Sequence, residues 1–317
     1  MKTVINHNFG EDFEDRLRAD FPQLDIHRVY STAEAVEAVP DAKILVGELR
    51  SEIFAAARQL EWHQYVGIGF NHYMAMPGFS ESDLVVTNCR ETHVIPMADH
   101  VLACILAFAH TLPALFRDQQ NRVFDETSYL SSTIELSGST LGVLAMGDIG
   151  RAVAKRAEGF DMEVYGVDVV EMEPPPGVTA VWPVERLDDM LMISDWLVIT
   201  APLTDQTRNL IAAERLRRLK PGCHIVIVSR GGIVNEDDLI EALRQGVVAG
   251  AAIDAFTEEP LPADSPFWEM PNVIVTPHSS AGSPQLWQRR ADVAHDNIRR
   301  YLAGEPLRFV CDKSLGY

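Results

Sequence analysis

Short apolar runs alternate with amphipathic helical patterns along most of the chain. Over residues 1–95 the apolar runs are TVIN, LDIHRVY, KILVG and EWHQYVGIG, and the helical patterns between them are EDFEDRLRADF, TAEAVEAV and SEIFAAARQ. A second series extends from Leu141 to Thr276, with strands predicted at VLAM, VYGVD, WLVIT, HIVIVS, GAAID and VIVT. Strands that alternate with helices at this spacing are typical of parallel sheets with helices on both faces. The pattern predicts an α/β fold with two doubly wound parallel sheets, the second of six strands inserted into the first.

Two further segments complete the predicted organisation. ADHVLACILAFAHTL is apolar almost all round, which predicts a buried helix between domains or between subunits. A closing helix from about Pro284 to Leu302 carries charge on one face. A length of 317 residues favours two domains over one. We place the boundaries so that residues 1–98 begin the first domain, residues 99–282 form the inserted domain and residues 283–317 follow it.

Charge and cysteine content narrow the class of protein. A formal charge of -19 makes a nucleic-acid partner improbable, since phosphate binding requires clustered lysine and arginine, and an anionic substrate would have to be captured by local positive groups. The four cysteines, at positions 89, 104, 223 and 311, form no CxxC pair, which fits a reduced cytoplasmic protein. The longest uncharged apolar stretch, Val101–Phe116, is shorter than the roughly 20 residues of a membrane span. The N-terminus lacks a signal-peptide pattern, and His72, His93 and His100 share no metal-ligand spacing, so we expect neither a membrane nor a metal.

A glycine-bearing turn between a strand and a helix is the first candidate for chemistry. LGVLAMGDIGRAVAKRA places Ala145, Gly147 and Gly150 at the three positions that a dinucleotide fingerprint reserves for glycine. Alanine at the first position departs from the fingerprint and is expected to be tolerated if its φ stays negative. Such a motif alone could reflect ordinary helix packing. Asp168, which lies 18 residues after Gly150 at the end of the next predicted strand, fits the acidic partner of the ribose and favours a dinucleotide.

Asp168 also indicates which dinucleotide binds. Its carboxylate can accept hydrogen bonds from both ribose hydroxyls, whereas a 2′-phosphate would meet a like charge, and Val169 and Val170 supply no arginine. NAD is therefore predicted over NADP. The alternative is a solvated acid at a strand end.

Three side chains near predicted strand ends form a candidate catalytic set. Arg230 closes HIVIVSRGG, Glu259 lies in AAIDAFTEEPLP and His278 follows VIVTP. Arginine offers a planar fork for a carboxylate, histidine can give up a proton near neutral pH, and a glutamate bonded to that histidine would keep it protonated. Each residue alone could be structural, but together they suit the reduction of a 2-keto acid.

The segment from APLTDQTRNL to TPHSSAG, with the fingerprint upstream, resembles the D-isomer-specific 2-hydroxyacid dehydrogenases, and the likeness covers nearly the whole chain. The resemblance implies a Rossmann NAD-binding domain inserted into a flavodoxin-like substrate domain, which the C-terminal segment re-enters. It assigns Arg230 to orienting the substrate, Glu259 to pairing with the histidine and His278 to acid/base work. Asp254 would lie near the nicotinamide amide, with a strand-end acid as its alternative. The cofactor-binding residues it implies are Gly147, Asp148, Ile149, Gly150, Asp168, Ala201, Pro202, Thr207, Val228, Ser229, Arg230, Asp254, His278 and Ser280.

The substrate side rests on a second glycine-bearing loop. QYVGIGFNH resembles the family's loop whose backbone N–H groups bind the substrate carboxylate, which assigns Ile68 and Gly69 to that role beside Arg230 and His278. Asn71 stands where the family usually has aspartate, so the anchoring of the loop is open. Arg50, in VGELRS, is a candidate for the distal group of the substrate, and its alternative is a solvated loop arginine.

These observations predict a cytoplasmic, NADH-dependent reductase that converts a small 2-keto acid to the D-2-hydroxy acid. Glyoxylate and hydroxypyruvate lead as substrates, since VCDKSLGY resembles the end of reductases in that subgroup. Phosphoglycerate is disfavoured because no regulatory domain follows, and formate dehydrogenases carry glutamine where Glu259 stands. An NAD-sensing corepressor of the same fold is the alternative function. We expect a homodimer, because the Val101–Leu112 helix is too apolar to face water.

Overall fold

The computed structural model describes residues 1–10, 12–127 and 129–313, so Ser314–Tyr317 of the VCDKSLGY segment lie outside the described residues. The chain divides into two compact units, which we call the first unit (Met1–His93 with Ser283–Tyr317) and the second unit (Val94–Gly282). Within the described ranges no single helix is long and apolar enough to cross a membrane, although one pair bent by 64°, Val94–Ala109 with Leu112–Asn121, passes by length and composition.

The first unit is built on a five-stranded parallel sheet. Its strand order, β2-β1-β3-β4-β5, is the doubly wound order of flavodoxin-like folds. β3 is buried at all four positions, which explains the uninterrupted apolar run of its sequence. The elements before the second unit are β1 (Lys2–Ile5), α1 (Phe13–Asp20), β2 (Asp25–Arg28), α2 (Thr32–Ala38), β3 (Ile44–Gly47), α3 (Ser51–Ala56), β4 (Trp62–Tyr65), a 3-10 helix (Asn71–Ala75) and β5 (Val85–Thr87).

The second unit is built on a seven-stranded parallel sheet in the order β12-β11-β10-β9-β6-β7-β8. Its elements are α4 (Val94–Ala109), α5 (Leu112–Asn121), β6 (Thr140–Leu144), α6 (Asp148–Glu158), β7 (Glu163–Asp168), β8 (Ala180–Pro183), α7 (Leu187–Ile193), β9 (Trp196–Ile199), α8 (Ala213–Leu216), β10 (His224–Ile227), α9 (Glu236–Arg244), β11 (Gly250–Ile253) and β12 (Val273–Val275), with 3-10 helices at Val184–Arg186 and Pro266–Glu269.

The prediction of two parallel-sheet α/β domains is confirmed, with one strand more in each sheet than the sequence indicated. The two strands that were missed, β5 and β8, each lie at an edge of their sheet. β5 has only three residues, and β8 ends in proline and has no fully buried residue. A short edge strand of this kind lacks the continuous apolar run of a central strand.

The apolar helix α4 belongs to the core of the second unit. Val101 and Ile105 are fully buried, and the helix packs against α6 and β10. The prediction of a buried helix is confirmed, and its position between domains or between subunits stays a prediction. An all-round apolar helix is equally satisfied inside one domain when a second helix and a sheet cover its two sides.

The closing helix, α10 (Pro284–Ala303), is part of the first unit. Its residues Ala291, Ala294 and Ile298 are buried in one cluster with Ile5 of β1 and Trp62 of β4. Ser283 caps its start by accepting a hydrogen bond from the Leu286 N–H at 3.1 Å. The cap and the buried face fix the position of the helix on the sheet.

Candidate active site

The turn between β6 and α6 holds the first position of the fingerprint in an unexpected conformation. Ala145 has a φ of +78°, so the expectation of a negative φ is wrong. Thr200 holds this turn from β9, because its hydroxyl donates to the carbonyl oxygens of Leu144 at 3.0 Å and Ala145 at 2.7 Å. The turn keeps the left-handed shape that glycine would adopt freely, and alanine adopts it at a cost of about 1 kcal/mol.

The two remaining glycines each allow a close approach. A Cβ at Gly150 would overlap the carbonyl oxygen of Ala145, so glycine lets α6 begin directly against the turn. Gly147 is the N-cap of α6, and a Cβ there would point into open space. Free N–H groups at a helix start attract phosphate. The space and the donors at Gly147, Asp148 and Ile149 fit the pyrophosphate of a dinucleotide.

Asp168 lies at the end of β7 beside the same turn. Its carboxylate accepts hydrogen bonds from the N–H groups of Met146 at 2.7 Å and Val170 at 2.9 Å. Arg151, which the sequence reading did not single out, reaches back to the Met146 carbonyl oxygen at 3.0 Å. The backbone therefore fixes the Asp168 carboxylate where a ribose would lie, with one cation close to the turn.

The loops after β9 and β10 carry the other predicted cofactor residues. The hydroxyl of Thr207 stabilises the loop after β9 by donating to the carbonyl oxygen of Pro202 at 2.6 Å. Ala201 in the same loop is buried. Val228 and Ser229 follow β10 and are buried, and the Ser229 hydroxyl has no hydrogen-bond partner within the described residues. A buried hydroxyl without a partner is expected to bond to a ligand or water.

All these loops leave the carboxyl ends of strands near the point where β6 is flanked by β7 on one side and β9 on the other. Ligands of open α/β sheets bind at such a switch point. The residues present therefore fit a dinucleotide.

The proposed catalytic side chains follow three adjacent strands. Arg230 comes after β10, Glu259 after β11 and His278 after β12. The Arg230 Nη1 donates to the Ser229 carbonyl oxygen at 2.7 Å. Gly231 lets this loop approach closely, since a Cβ there would overlap the backbone of Phe256.

Glu259 and His278 are in direct contact. The Nδ1 atom of His278 lies 2.8 Å from Oε2 and 3.0 Å from Oε1 of Glu259. The carboxylate is itself held by the N–H of Phe256, which donates to Oε1 at 2.9 Å. The His278 side chain remains 45% exposed, so its other ring nitrogen is available to a ligand. The carboxylate fixes the tautomer in which Nδ1 carries a proton.

Asp254 anchors the segment that carries His278. Its buried carboxylate accepts hydrogen bonds from the Thr276 hydroxyl at 2.6 Å and from the N–H groups of Ser279 at 2.9 Å and Ser280 at 3.0 Å. His278 between them has a φ of +50°, a conformation that is uncommon outside glycine. The three bonds surround this strained residue and hold its backbone in place. This contribution was not predicted, because it depends on backbone donors that the sequence does not identify.

Three of the predicted substrate residues lie in the first unit, Arg50 after β3 and Ile68 and Gly69 after β4. The N–H groups of Ile68 and Gly69 donate no hydrogen bond within the described residues, and Asn88 holds the loop by donating to the Ile68 carbonyl oxygen at 2.9 Å. Arg50 is the N-cap residue of α3 and is exposed, with no ion pair in the described part of the chain. The loop thus offers two free backbone donors beside the end of the sheet.

Comparison with known proteins decides the family. A family model described as "D-isomer specific 2-hydroxyacid dehydrogenase, NAD binding domain" matches residues 102–280, more than half of the chain. The chain belongs to this family.

Solved structures of the family match nearly all of this chain. A D-isomer specific 2-hydroxyacid dehydrogenase family protein from Aeromonas salmonicida is 31% identical, with a TM-score of 0.88 and coverage of 98% of this chain and 99% of that one. A D-isomer specific 2-hydroxyacid dehydrogenase from Xanthobacter autotrophicus, in complex with NADPH and MES, is 30% identical, with a TM-score of 0.85 and coverage of 100% and 99%.

Curated relatives carry two different names. A D-3-phosphoglycerate dehydrogenase from Methanocaldococcus jannaschii is 30% identical over 96% of this chain, and the chain spans only 58% of the length of that relative. A glyoxylate reductase from Thermofilum pendens is 30% identical over 83% of this chain and 78% of its own length. The family is therefore established, and the substrate is not fixed by the relatives.

Proposed function

We propose that this dehydrogenase uses NADH to reduce a small 2-keto acid, with glyoxylate and hydroxypyruvate as leading substrates, to the D-2-hydroxy acid. The observation that carries the proposal is the contact of 2.8 Å between His278 Nδ1 and Glu259 Oε2, in the loops after β11 and β12, with Arg230 in the loop after the neighbouring strand β10. The glyoxylate reductase name of a relative supports the choice of substrate.

The chemistry follows from the orientation of the histidine. Bound NADH would supply the hydride to the keto carbon. With Nδ1 bonded to Glu259, the Nε2 of His278 donates a proton to the keto oxygen as negative charge develops there, a contribution of about 10²- to 10⁴-fold. Glu259 binds Nδ1 and so orients the ring for this transfer. Arg230 supplies a fork for the carboxylate of the substrate. The free N–H groups of Ile68 and Gly69 are the first unit's own candidate donors for a carboxylate.

NAD is the proposed cofactor, with NADP as the less favoured one. Asp168, fixed by two backbone N–H groups, would accept bonds from the ribose and repel a 2′-phosphate. Arg151 reaches the same turn and would weaken that repulsion. One relative was crystallised with NADPH, so the two cofactors must be compared directly.

The test is a panel of 2-keto acids, assayed by the loss of NADH or NADPH absorbance in parallel and followed by chiral analysis of the product. We expect turnover of glyoxylate or hydroxypyruvate, with kcat/KM higher for NADH. Tight NADH binding without turnover of any keto acid would instead support an NAD-sensing corepressor. The complete set of Arg230, Glu259 and His278 favours turnover.

We also propose a homodimer, formed through a surface other than the apolar helix from which the sequence predicted it. Helix α4 is buried within its own unit, but Phe116, Phe124 and Leu130 of the second unit are 57%, 89% and 77% exposed. Apolar side chains exposed so close together in sequence are typical of an interface. Sedimentation should show twice the 35.2 kDa of one chain, and Phe124→Asp should reduce it to one chain. Tyr30→Asp, at an exposed aromatic residue of the first unit, is the control, and a wild type that sediments as one chain would contradict the dimer.

The cysteines support a location for this protein. All four cysteines are free, and three of them are buried. Free thiols persist in a reducing compartment, which supports a cytoplasmic enzyme.

A further inference from the structure

An acidic side chain at the start of α9 joins two loops of the second unit. Glu236 is the first residue of α9, which follows the loop that carries Arg230. Its Oε1 accepts hydrogen bonds from the N–H of Thr257 at 2.6 Å and from the hydroxyl of Thr257 at 2.7 Å. Thr257 belongs to the loop after β11, which carries Glu259. Glu236 therefore connects the loop of Arg230 to the loop of Glu259.

The bonded segment has little apolar packing of its own. Residues 257–260 are exposed, whereas Phe256 before them is buried. A loop segment with few buried apolar contacts has low local stability, so its hydrogen bonds decide where it lies. Gly231 brings the two loops together at this point, since a Cβ there would overlap the backbone of Phe256 and Thr257. The two bonds to Glu236 are therefore the main polar restraint on the start of the exposed segment.

The position of Thr257 matters for the catalytic pair. The N–H of Phe256 donates to Glu259 Oε1 at 2.9 Å, and Oε2 of the same carboxylate lies 2.8 Å from His278 Nδ1. Thr257 lies between Phe256 and Glu259 in the chain, so a shift of Thr257 displaces both the carboxylate and the donor that orients it. A misplacement of about 1 Å in a catalytic group can slow a reaction by about 10²-fold.

Helix α9 has a cap that does not involve Glu236. Asn235 accepts a hydrogen bond from the Asp238 N–H at 3.0 Å. Asp237, next to Glu236 in the first turn, is exposed and forms no hydrogen bond or ion pair in the described part of the chain. Both acids interact favourably with the helix dipole. What separates Glu236 from Asp237 is the pair of bonds to another loop.

We propose that Glu236 is a positioning residue of the reaction, which holds Glu259 in contact with His278 by fixing Thr257. This inference rests on the proposed function. Both bonds end on one oxygen, Oε1, so the position requires a hydrogen-bond acceptor of this length more than it requires a charge. The amide oxygen of glutamine supplies that acceptor, whereas alanine supplies none.

The kinetic experiment measures kcat with hydroxypyruvate and saturating NADH. Glu236→Ala should lower kcat by about tenfold or more, and Glu236→Gln should stay within about threefold of the wild type. Asp237→Ala removes the neighbouring exposed acid and should leave kcat unchanged. Thr257→Val removes the hydroxyl bond and should lower kcat by itself. Combined with Glu236→Ala it should cause no further loss, because the bond is already absent.

The tautomer of His278 gives a readout that a general loss of stability would not change. ¹⁵N NMR of labelled histidine distinguishes a neutral ring with its proton on Nδ1 from one with its proton on Nε2. The signals of His278 are assigned by their loss in His278→Gln. The wild type and Glu236→Gln should carry the proton on Nδ1, where Glu259 accepts it, and Glu236→Ala should shift the ring toward the Nε2 tautomer.

Several outcomes would overturn the inference. Equal kcat in Glu236→Ala and the wild type, an equal loss in Glu236→Ala and Asp237→Ala, or an unchanged His278 tautomer in Glu236→Ala would each contradict it. If Glu236→Ala fails to fold, Thr257→Val and Thr257→Ser decide the matter, since only serine keeps the hydroxyl, and equal kcat in these two variants would contradict the inference. A wild type that reduces no 2-keto acid would overturn the proposed function, whereas normal turnover with an unchanged kcat in Glu236→Ala overturns this inference alone.

Discussion

Replacing Asp254 by asparagine should destabilise the protein and slow the reaction through His278. The side chain of Asp254 is buried, and its two oxygens accept three hydrogen bonds from Thr276, Ser279 and Ser280. Asparagine has the same shape, but one of its two oxygens is replaced by an N–H₂ donor. At least one of the three donors would then face another donor.

The size of the effect follows from these bonds. If the amide oxygen replaces the oxygen that Thr276 and Ser279 share, only the bond from Ser280 is lost, and the other two become bonds to a neutral acceptor. A bond to a charged group contributes about 1.5–3 kcal/mol and a neutral one about 1 kcal/mol. The lost bond accounts for about 1.5–3 kcal/mol and each of the two weakened bonds for about 0.5–2 kcal/mol, so we expect the free energy of unfolding to fall by about 2.5–7 kcal/mol. Because His278 lies within the released segment, kcat should fall by about 10²-fold.

Urea unfolding followed by circular dichroism measures the first effect, and steady-state kinetics with saturating NADH measures the second. Asp237→Asn, an exposed acid at the start of α9, is the control and should change neither. Titration with NADH separates this role from a contact with the nicotinamide amide, which would weaken cofactor binding as well. An Asp254→Asn protein with wild-type stability and kcat would refute the anchoring argument.

Three further predictions address the turn, the cofactor and a buried histidine. Ala145→Gly should raise the urea midpoint, since it removes about 1 kcal/mol of left-handed strain, and an unchanged or lower midpoint would speak against that strain. Asp168→Ala should weaken NADH binding and reduce the ratio of kcat/KM with NADH to kcat/KM with NADPH. A wild type that already prefers NADPH would contradict this interpretation of Asp168. Burial lowers the pKa of His63 to about 3 in the folded protein, whereas in the unfolded protein it stays near 6.5. As the pH falls from 6.5 to about 3, the unfolded state therefore binds a proton that the folded state does not, and the free energy of unfolding decreases. His63→Gln should flatten the dependence of the unfolding free energy on pH by up to about 1.4 kcal/mol per pH unit, and parallel curves would exclude this contribution.

The fold could be predicted because each central strand is buried on both faces. The run ILVG of β3 and the run WLVI of β9 are buried at every position, and such runs separated by helical patterns determine a parallel sheet. Strands β5 and β8 escaped prediction because an edge strand needs no continuous apolar run. The neighbour of α4 also escaped prediction, since an apolar surface does not specify what covers it.

Some residues of the candidate site could be predicted from the sequence, and others could not. Arg230, Glu259 and His278 could be named from their residue types and order, and the structure places them after adjacent strands, with Glu259 and His278 in contact. The positive φ of Ala145 and the anchoring by Asp254 could not be predicted, because they arise from backbone geometry.

The central claim is that His278 delivers a proton to a 2-keto acid while NADH delivers the hydride. The most direct measurement is single-turnover oxidation of enzyme-bound NADH by hydroxypyruvate, in the wild type and in His278→Gln. We expect the wild type to oxidise its bound NADH stoichiometrically and the variant to do so at a rate lower by about 10²-fold or more. Both proteins should bind NADH before the keto acid is added. Equal rates in the two proteins, or bound NADH that no 2-keto acid oxidises in the wild type, would contradict this claim.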